Sequence, residues 1–306
     1  MDYELAIIGA GPAGYSAAIY AVRSGIETIL FDEGTGGGLA SFAPNIENYA
    51  GFKEISGLDL MEKMKEHVEN YTKINFNEEV KDISKENDFF IIKTEKKEYK
   101  AKAVLITTGT KHRSLNASGE KELSGKGVSY CATCDGFFFK NKKVAVVGGG
   151  NSALIEAIYL KQIGCSKVYV IHRRDQFRAE ESYVDEAEEK GVNFIFDSSV
   201  EKINGKEKVE SLDLKNKDTG KITKLNLDGI FISIGEIPQN NLAKKLGVNI
   251  DEKGYIKIDK EGRTNIKGVY AAGDITGGLR QIITAAAEGA IAALSSTEVL
   301  GKKYPY

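Results

Sequence analysis

Cysteine and proline are scarce, neither sign of charge dominates, and no long hydrophobic run is present. Each shortage narrows the field. The three cysteines are Cys131, Cys134 and Cys165, an odd and sparse set that cannot staple a disulfide scaffold. A reducing, cytoplasmic compartment is therefore expected, where a close cysteine pair points to catalysis or metal binding. Four prolines stand against 33 glycines, which suits tight strand–helix turns and not disordered linkers. The 42 Lys and Arg nearly balance the 44 Asp and Glu, for a net charge of −2. That balance offers no global attraction to nucleic acid or to an anionic membrane. No run approaches 18 uninterrupted apolar residues, so a membrane span is not expected. The strand-like run Tyr3–Ile8 begins so near Met1 that no signal peptide is expected before it.

What is present is an alternation of β-rich runs and amphipathic stretches, the pattern of an α/β protein with parallel sheets. Strands are expected at Leu5–Gly9, Thr28–Asp32, Val104–Thr107, Val144–Gly148, Val168–Ile171 and Gly229–Ile234. Helices are expected at Ala13–Arg23, Ser152–Ile163 and Gln281 to about Val299. Short runs broken by polar residues, Val80–Lys102 and Val200–Leu227, read as small antiparallel insertions. The length of 306 residues suits two domains. The run Ile7-Ile8-Gly9-Ala10-Gly11-Pro12-Ala13-Gly14 recurs 139 positions later as Val146-Val147-Gly148-Gly149-Gly150-Asn151-Ser152-Ala153. Two dinucleotide-binding units follow, the second inserted into the first: residues 1–113, then 114–243, then 244–306, the last folding back on the first.

Gly9-x-Gly11-x-x-Gly14 follows a strand and opens a helix, as a pyrophosphate-binding turn requires. The helix N-terminus offers free N–H groups and the positive end of its dipole. The next strand ends at Asp32-Glu33, 18 and 19 residues past Gly14, near the spacing of a ribose-binding carboxylate. The second turn, Gly148-x-Gly150-x-x-Ala153, is followed by a strand ending in His172-Arg173-Arg174, with Arg178 one turn on. An acid there would repel a 2′-phosphate, whereas guanidinium groups bind it. One acidic and one basic site imply electron transfer between two dinucleotides, most economically a bound flavin reduced by NADPH.

Cys131-Ala132-Thr133-Cys134 can close a small disulfide ring whose thiolate form is reactive. Zinc needs four ligands, and Cys165, His67, His112 and His172 supply none at ligand-like spacing, so no metal is expected. Cys165 ends an apolar helix and reads as a core residue. Asp135 either shuttles a proton to the thiolates or caps a helix. Of Phe137-Phe138-Phe139, not all can face one core, so a docking surface competes with ordinary burial.

On Ser129-Tyr130-Cys131-Ala132-Thr133-Cys134-Asp135-Gly136-Phe137-Phe138, with the second glycine turn and His172-Arg173-Arg174-Asp175-Gln176-Phe177-Arg178, the chain resembles the low-molecular-weight thioredoxin reductases of bacteria and archaea. The resemblance runs in order over essentially the whole chain. It implies two Rossmann-like, three-layer ββα domains, an NADPH domain inserted into an FAD domain, in a homodimer. To FAD it assigns Gly9, Gly11, Pro12, Ala13, Gly14, Asp32, Glu33, Gly37, Gly38, Leu39, Asn48, Val80, Thr108, Gly109, Gly273, Asp274, Arg280, Gln281 and Ile282. Asp274 would bond the ribityl chain, and the helix after Gln281 would point its N-terminus at the flavin ring.

To NADPH the resemblance assigns Gly148, Gly150, Asn151, Ser152, Ala153, His172, Arg173, Arg174, Arg178, Ile234 and Gly235. It implies that Cys134 sits against the flavin, Cys131 attacks the disulfide of thioredoxin, and Asp135 acts as acid or base. Phe137 and Phe138 match its docking pair for thioredoxin. The inserted domain would swing about hinges near residues 112–116 and 241–245. Four positions depart from the common pattern: Gly38 for Gln, Ala50 for Pro, Ile155 for Glu and Leu279 for an aromatic. A flavin-dependent dithiol oxidase, or a reductase of another small dithiol carrier, is the alternative. The basic cluster speaks against the oxidase, and the cysteine pair against a flavin-dependent ferredoxin–NADP reductase.

Overall fold

Strand β1 (Asp2–Ile8) is apolar on both faces: Leu5 and Ile7 join one buried cluster, Ala6 and Ile8 another. A side-chain period of two with both faces buried is what a central parallel strand requires. It appears in a computed structural model that describes residues 2–43 and 45–303. A glycine turn leads to helix α1 (Pro12–Arg23), then come β2 (Thr28–Phe31), α2 (Gly57–Glu69) and β3 (Ile74–Asn75). The helix α2 is started by Ser56, whose hydroxyl accepts the Asp59 N–H at 3.0 Å.

The expected antiparallel insertion is β4 (Val80–Glu86), β5 (Phe89–Thr94) and the first residues of β6 (Glu98–Ile106). The long β6 belongs to two layers. Near its start it pairs antiparallel with β5, Ala101 opposite Phe90. Further on it runs parallel to β1, Ile106 opposite Ile8. Val80, Ile83, Phe90, Ile92 and Tyr99 cover the sheet face that carries Ala6 and Ile8, while helices cover the face of Leu5 and Ile7. After β7 (Thr110–His112) the chain enters the insert.

The insert repeats the plan with β8 (Val128–Ser129), α3 (Ala132–Asp135), β9 (Lys143–Val147), α4 (Asn151–Gln162), β10 (Lys167–Ile171), α5 (Glu181–Glu189) and β11 (Asn193–Ile195). Then follow β12 (Ser198–Asn204), β13 (Ser211–Asn216), β14 (Ile222–Asn226) and β15 (Gly229–Ile232). Its parallel sheet has the order β11-β10-β9-β15-β8. Val144 and Val146 face the helices; Ala145 and Val147 face β12–β14. Here the antiparallel layer is a separate three-stranded sheet, whereas in the first unit it is continuous with the main one.

The chain returns through β16 (Glu236–Pro238), which pairs with β7, and continues with α6 (Asn241–Lys245), β17 (Val269–Ala271) and α7 (Ile282–Val299). Strand β17 runs parallel to β6, Ala271 opposite Ile106. The first unit's sheet thus has the order β3-β2-β1-β6-β5-β4, with β17 beside the far end of β6. The units are Met1–Lys111 with Ile237–Tyr306, and His112–Glu236. The second crossing therefore precedes the expected boundary at 243. Residues 241–245, expected to be a hinge, are α6, and their Leu242 and Ala243 are buried in the first unit's second core. By length and composition α7 could cross a membrane, but its small residues pack it closely along α1. A Cβ added at Gly289 would lie 2.0 Å from the Ala13 carbonyl oxygen of α1.

Candidate functional site

In the first unit the glycine turn forms because larger residues are shut out. A Cβ at Gly9, where φ is +109°, would lie 2.4 Å from the Thr107 carbonyl oxygen, and one at Gly14 would lie 1.9 Å from that of Gly9. Gly11 is the opposite case: a Cβ there meets nothing within 4 Å. It opens α1 with no side-chain cap, Pro12 following at the first helical position. The turn thus leaves uncapped N–H groups facing open space, which fits a pyrophosphate.

Two other segments close on this turn. Gly37 donates its N–H to the Ala10 carbonyl at 2.7 Å. A Cβ at Gly38 would lie 3.7 Å from the Gly11 Cα. The Gly38 φ of +57° lies in the left-handed region, which glycine adopts freely. Leu39 follows in a 3₁₀ turn, Gly38–Phe42. A Cβ at Gly273 would sit 3.0 Å from that of Ala13, and the Gly273 N–H donates to Glu288 Oε2 at 2.8 Å. Asp274 then begins a 3₁₀ turn.

Asn48 Nδ2 donates to Gln281 Oε1 at 3.0 Å, and Gln281 caps α7 reciprocally with Thr284, just before Ile282. Thr108 Oγ1 donates to the Gln239 carbonyl at 2.8 Å, next to Gly109. Arg280 is exposed. Val80 has a buried side chain, so only its main chain can serve a ligand.

The two acids after β2 divide their work. Asp32 accepts backbone N–H groups from Ala10 at 2.8 Å, Gly34 at 2.9 Å and Gly36 at 3.2 Å. It fastens the loop to the turn, which leaves Glu33 as the outward-facing carboxylate. Among the described residues Glu33 meets the exposed Lys111, at 2.9 Å. Sequence reasoning missed Thr107, whose hydroxyl donates to the carbonyls of Ile8 and Gly9 at 3.0 and 2.8 Å. It also missed Glu288, a partner that no spacing motif announces.

In the insert, Gly150 opens α4 uncapped, with nothing within 4 Å of an added Cβ. Asn151 exchanges hydrogen bonds with Glu180, and the Arg178 N–H donates to the Gly149 carbonyl at 2.8 Å. These bonds draw the loop after β10 against the turn formed by Gly148, Ser152 and Ala153. Arg173, Arg174 and Arg178 are exposed. His172 is not among them. It is buried, and a Cβ at Gly149 would fall 2.1 Å from its ring. Burial, then the neighbouring arginines, holds its pKa down, and its Nε2 has no partner. The sequence counted His172 with the cations; the structure makes it a neutral packing residue under the turn. Ile234 and Gly235 follow β15, and Gly235 accepts the Arg113 N–H at 3.1 Å.

The cysteines lie between β8 and α4. Cys131 and Cys134 form a disulfide with Cα atoms 5.3 Å apart, and the Cys134 N–H donates to Cys131 Sγ at 3.2 Å. Buried Ser129 organises the loop. Its hydroxyl donates to Asp135 Oδ2 at 2.5 Å and accepts the Cys131 N–H at 3.1 Å. The other oxygen of Asp135 is buried without a partner. Burial raises the Asp135 pKa, and the Ser129 hydrogen bond offsets part of the rise.

Tyr130 donates to buried Glu120 at 2.8 Å and stacks on His112 at 4.6 Å, which steadies the entry to the loop. Phe137 is 59% exposed, Phe138 packs partly on the helix-side core, and Phe139 is buried. Cys165 is a buried free thiol whose pKa burial pushes up to about 11. Among the described residues no cluster of three His, Cys, Asp or Glu could hold a metal.

Comparison with known proteins matches this arrangement. Residues 3–289 match the pyridine nucleotide-disulphide oxidoreductase family. A thioredoxin reductase of Listeria innocua is 42% identical over 293 residues, 95% of this chain and 91% of the relative. One from Bacillus subtilis is 40% identical over 296 residues, 96% of this chain and 93% of the relative. The chain belongs to the thioredoxin reductase family. The crystal structure of thioredoxin reductase from Streptococcus pyogenes superposes with a TM-score of 0.93 at 42% identity, covering 98% of both chains. Membership carries a flavin, a pyridine nucleotide and a redox disulfide, here Cys131–Cys134.

Proposed function

We propose that this chain is a thioredoxin-disulfide reductase that binds FAD on the first unit and NADPH on the second. The observation that carries the reading is the Cys131–Cys134 disulfide, set beside the half-buried acid Asp135 and the exposed Phe137. Bound FAD would supply a two-electron carrier between reduced nicotinamide and disulfide. Gly11, with Pro12 and Ala13, would hold its pyrophosphate, Glu33 its ribose and Asp274 its ribityl chain, with Asn48 and Gln281 near the ring. Gly150 to Ala153 would hold the pyrophosphate of NADPH, and Arg173, Arg174 and Arg178 its 2′-phosphate.

Once the pair is reduced, the Cys131 thiolate would attack a disulfide sulfur of thioredoxin, forming a mixed disulfide and displacing a thiolate that takes a proton from Asp135. Attack by Cys134 on Cys131 Sγ would then re-form the internal disulfide and release the second thiolate, also protonated. Each cycle consumes NADPH and one proton and yields NADP⁺ and dithiol thioredoxin. Phe137, with Phe138 behind it, would be the apolar contact for that partner. A homodimer working in the cytoplasm belongs to the same reading and rests on the family resemblance. For Cys134→Ser we expect NADPH still to bleach the flavin anaerobically while thioredoxin turnover disappears. Retained turnover would remove the cysteine pair from the reaction.

A further inference from the structure

Arg173 and Arg174 do not face solvent alone. With Ser198, Ser199 and Lys217 they line a cavity of about 320 Å³ in the insert. Lys217 lies in the turn between β13 and β14 and belongs to no sequence motif. Its position is fixed by main-chain bonds: its N–H donates to the Asp197 carbonyl at 2.7 Å, and the Asp197 N–H donates to the Arg174 carbonyl at 3.1 Å. No carboxylate lines the cavity. Among the described residues the side chains of Arg173, Arg174 and Lys217 make no hydrogen bond or ion pair. Other exposed lysines here do find acids, as Lys81 does with Glu79 and Glu95. Three unpaired cations around one concavity repel one another, and a bound dianion would relieve that repulsion.

We propose that Lys217 is a further cationic arm of the 2′-phosphate site and sets the preference for a phosphorylated coenzyme together with Arg173, Arg174 and Arg178. A ribose 2′-phosphate carries a charge near −2, more than one guanidinium balances. Lysine adds a mobile point charge from a second segment of the lining, beside the planar forks of the arginines. This rests on the reading of the second glycine turn as the NADPH site.

The test is calorimetric binding of 2′,5′-ADP and of 5′-AMP to the intact flavoprotein. Lys217→Gln should weaken 2′,5′-ADP binding about two- to fivefold, the scale of an exposed charged contact. It should leave 5′-AMP binding unchanged, which also shows that the fold is intact. Lys217→Arg should restore most of the loss, and Lys224→Gln, an exposed lysine on β14 outside the cavity lining, should change nothing. Native-like 2′,5′-ADP binding by Lys217→Gln, with Arg173→Ala weakened, would overturn the role of Lys217 and leave the phosphate site standing. If Lys217→Gln, Arg173→Ala and Arg174→Ala all leave the ratio of the two affinities unmoved, the phosphate-site reading falls as well.

Discussion

Two side chains change meaning once their surroundings are known. His172 has a depressed pKa in the folded chain, so the native state keeps it neutral while an unfolded chain protonates near pH 6.5. Its contribution to stability is therefore complete above about pH 6.5 and is lost as pH falls from there towards the folded value. His172→Gln cannot titrate and should lose less stability between pH 7 and pH 5 in denaturant melts. Equal slopes would show that His172 is not buried as a neutral ring. Asp135 has the reverse bias. Ser129→Ala removes a donor that holds its pKa down, so the acidic group should persist to higher pH. A charged hydrogen bond of about 1.5 kcal/mol corresponds to roughly one pH unit. The pH profile of thioredoxin reduction should move up by that amount, with Ser129→Thr keeping the native profile. An unmoved profile would separate Ser129 from the proton transfer. Asp135 was legible as a proton carrier, but the inward turn of His172 is decided by the absence of a side chain at Gly149, and no spacing announces the Ser129–Asp135 hydrogen bond.

Among the elements, the glycine turns were the most legible parts, since the exclusion at Gly14 comes from Gly9 in the same turn, whereas that at Gly9 comes from the distant Thr107. The helices begin one residue earlier or later than expected, at Pro12, Asn151 and Ile282. The resemblance named residues on segments far apart in sequence, and Gly37, Gly38 and Gly273 do close on the first turn. What it did not carry was Glu288, which holds the Gly273 turn from α7. The contact of α7 with α1 is equally silent in sequence, because small residues show no amphipathic stripe. Gly289→Ala would drive a methyl group into the Ala13 carbonyl. Relief requires the two helices to part, and overpacking of this kind costs about 1–3 kcal/mol. A lowered melting temperature is expected, together with weaker flavin retention, because α1 opens the pyrophosphate turn. A native melting temperature would mean that the helices separate freely.

Across the molecule, the repeat at 139 positions marks two units with one plan: helices, a parallel sheet and an antiparallel layer. The parallel sheets and the two insertions were readable from periodicity, whereas the strand order was not. The exact point of return was not, because residues 241–245 lack a strong period and become a helix only through the burial of Leu242 and Ala243. Nor could the sequence distinguish an antiparallel layer fused to the main sheet through β6 from one standing apart as β12–β14.

The ribbon of β7 and β16 has a consequence for chain entropy. It brings the first and last residues of the insert side by side, although β6 and β17 must pair across the whole of it. Were the insert a flexible coil, closing that span would cost about 3 kcal/mol more than closing a tight bend. Folded first, with its ends already touching, it spares the outer unit most of this charge, so the inner module acts as a clasp around which the interrupted sheet can assemble.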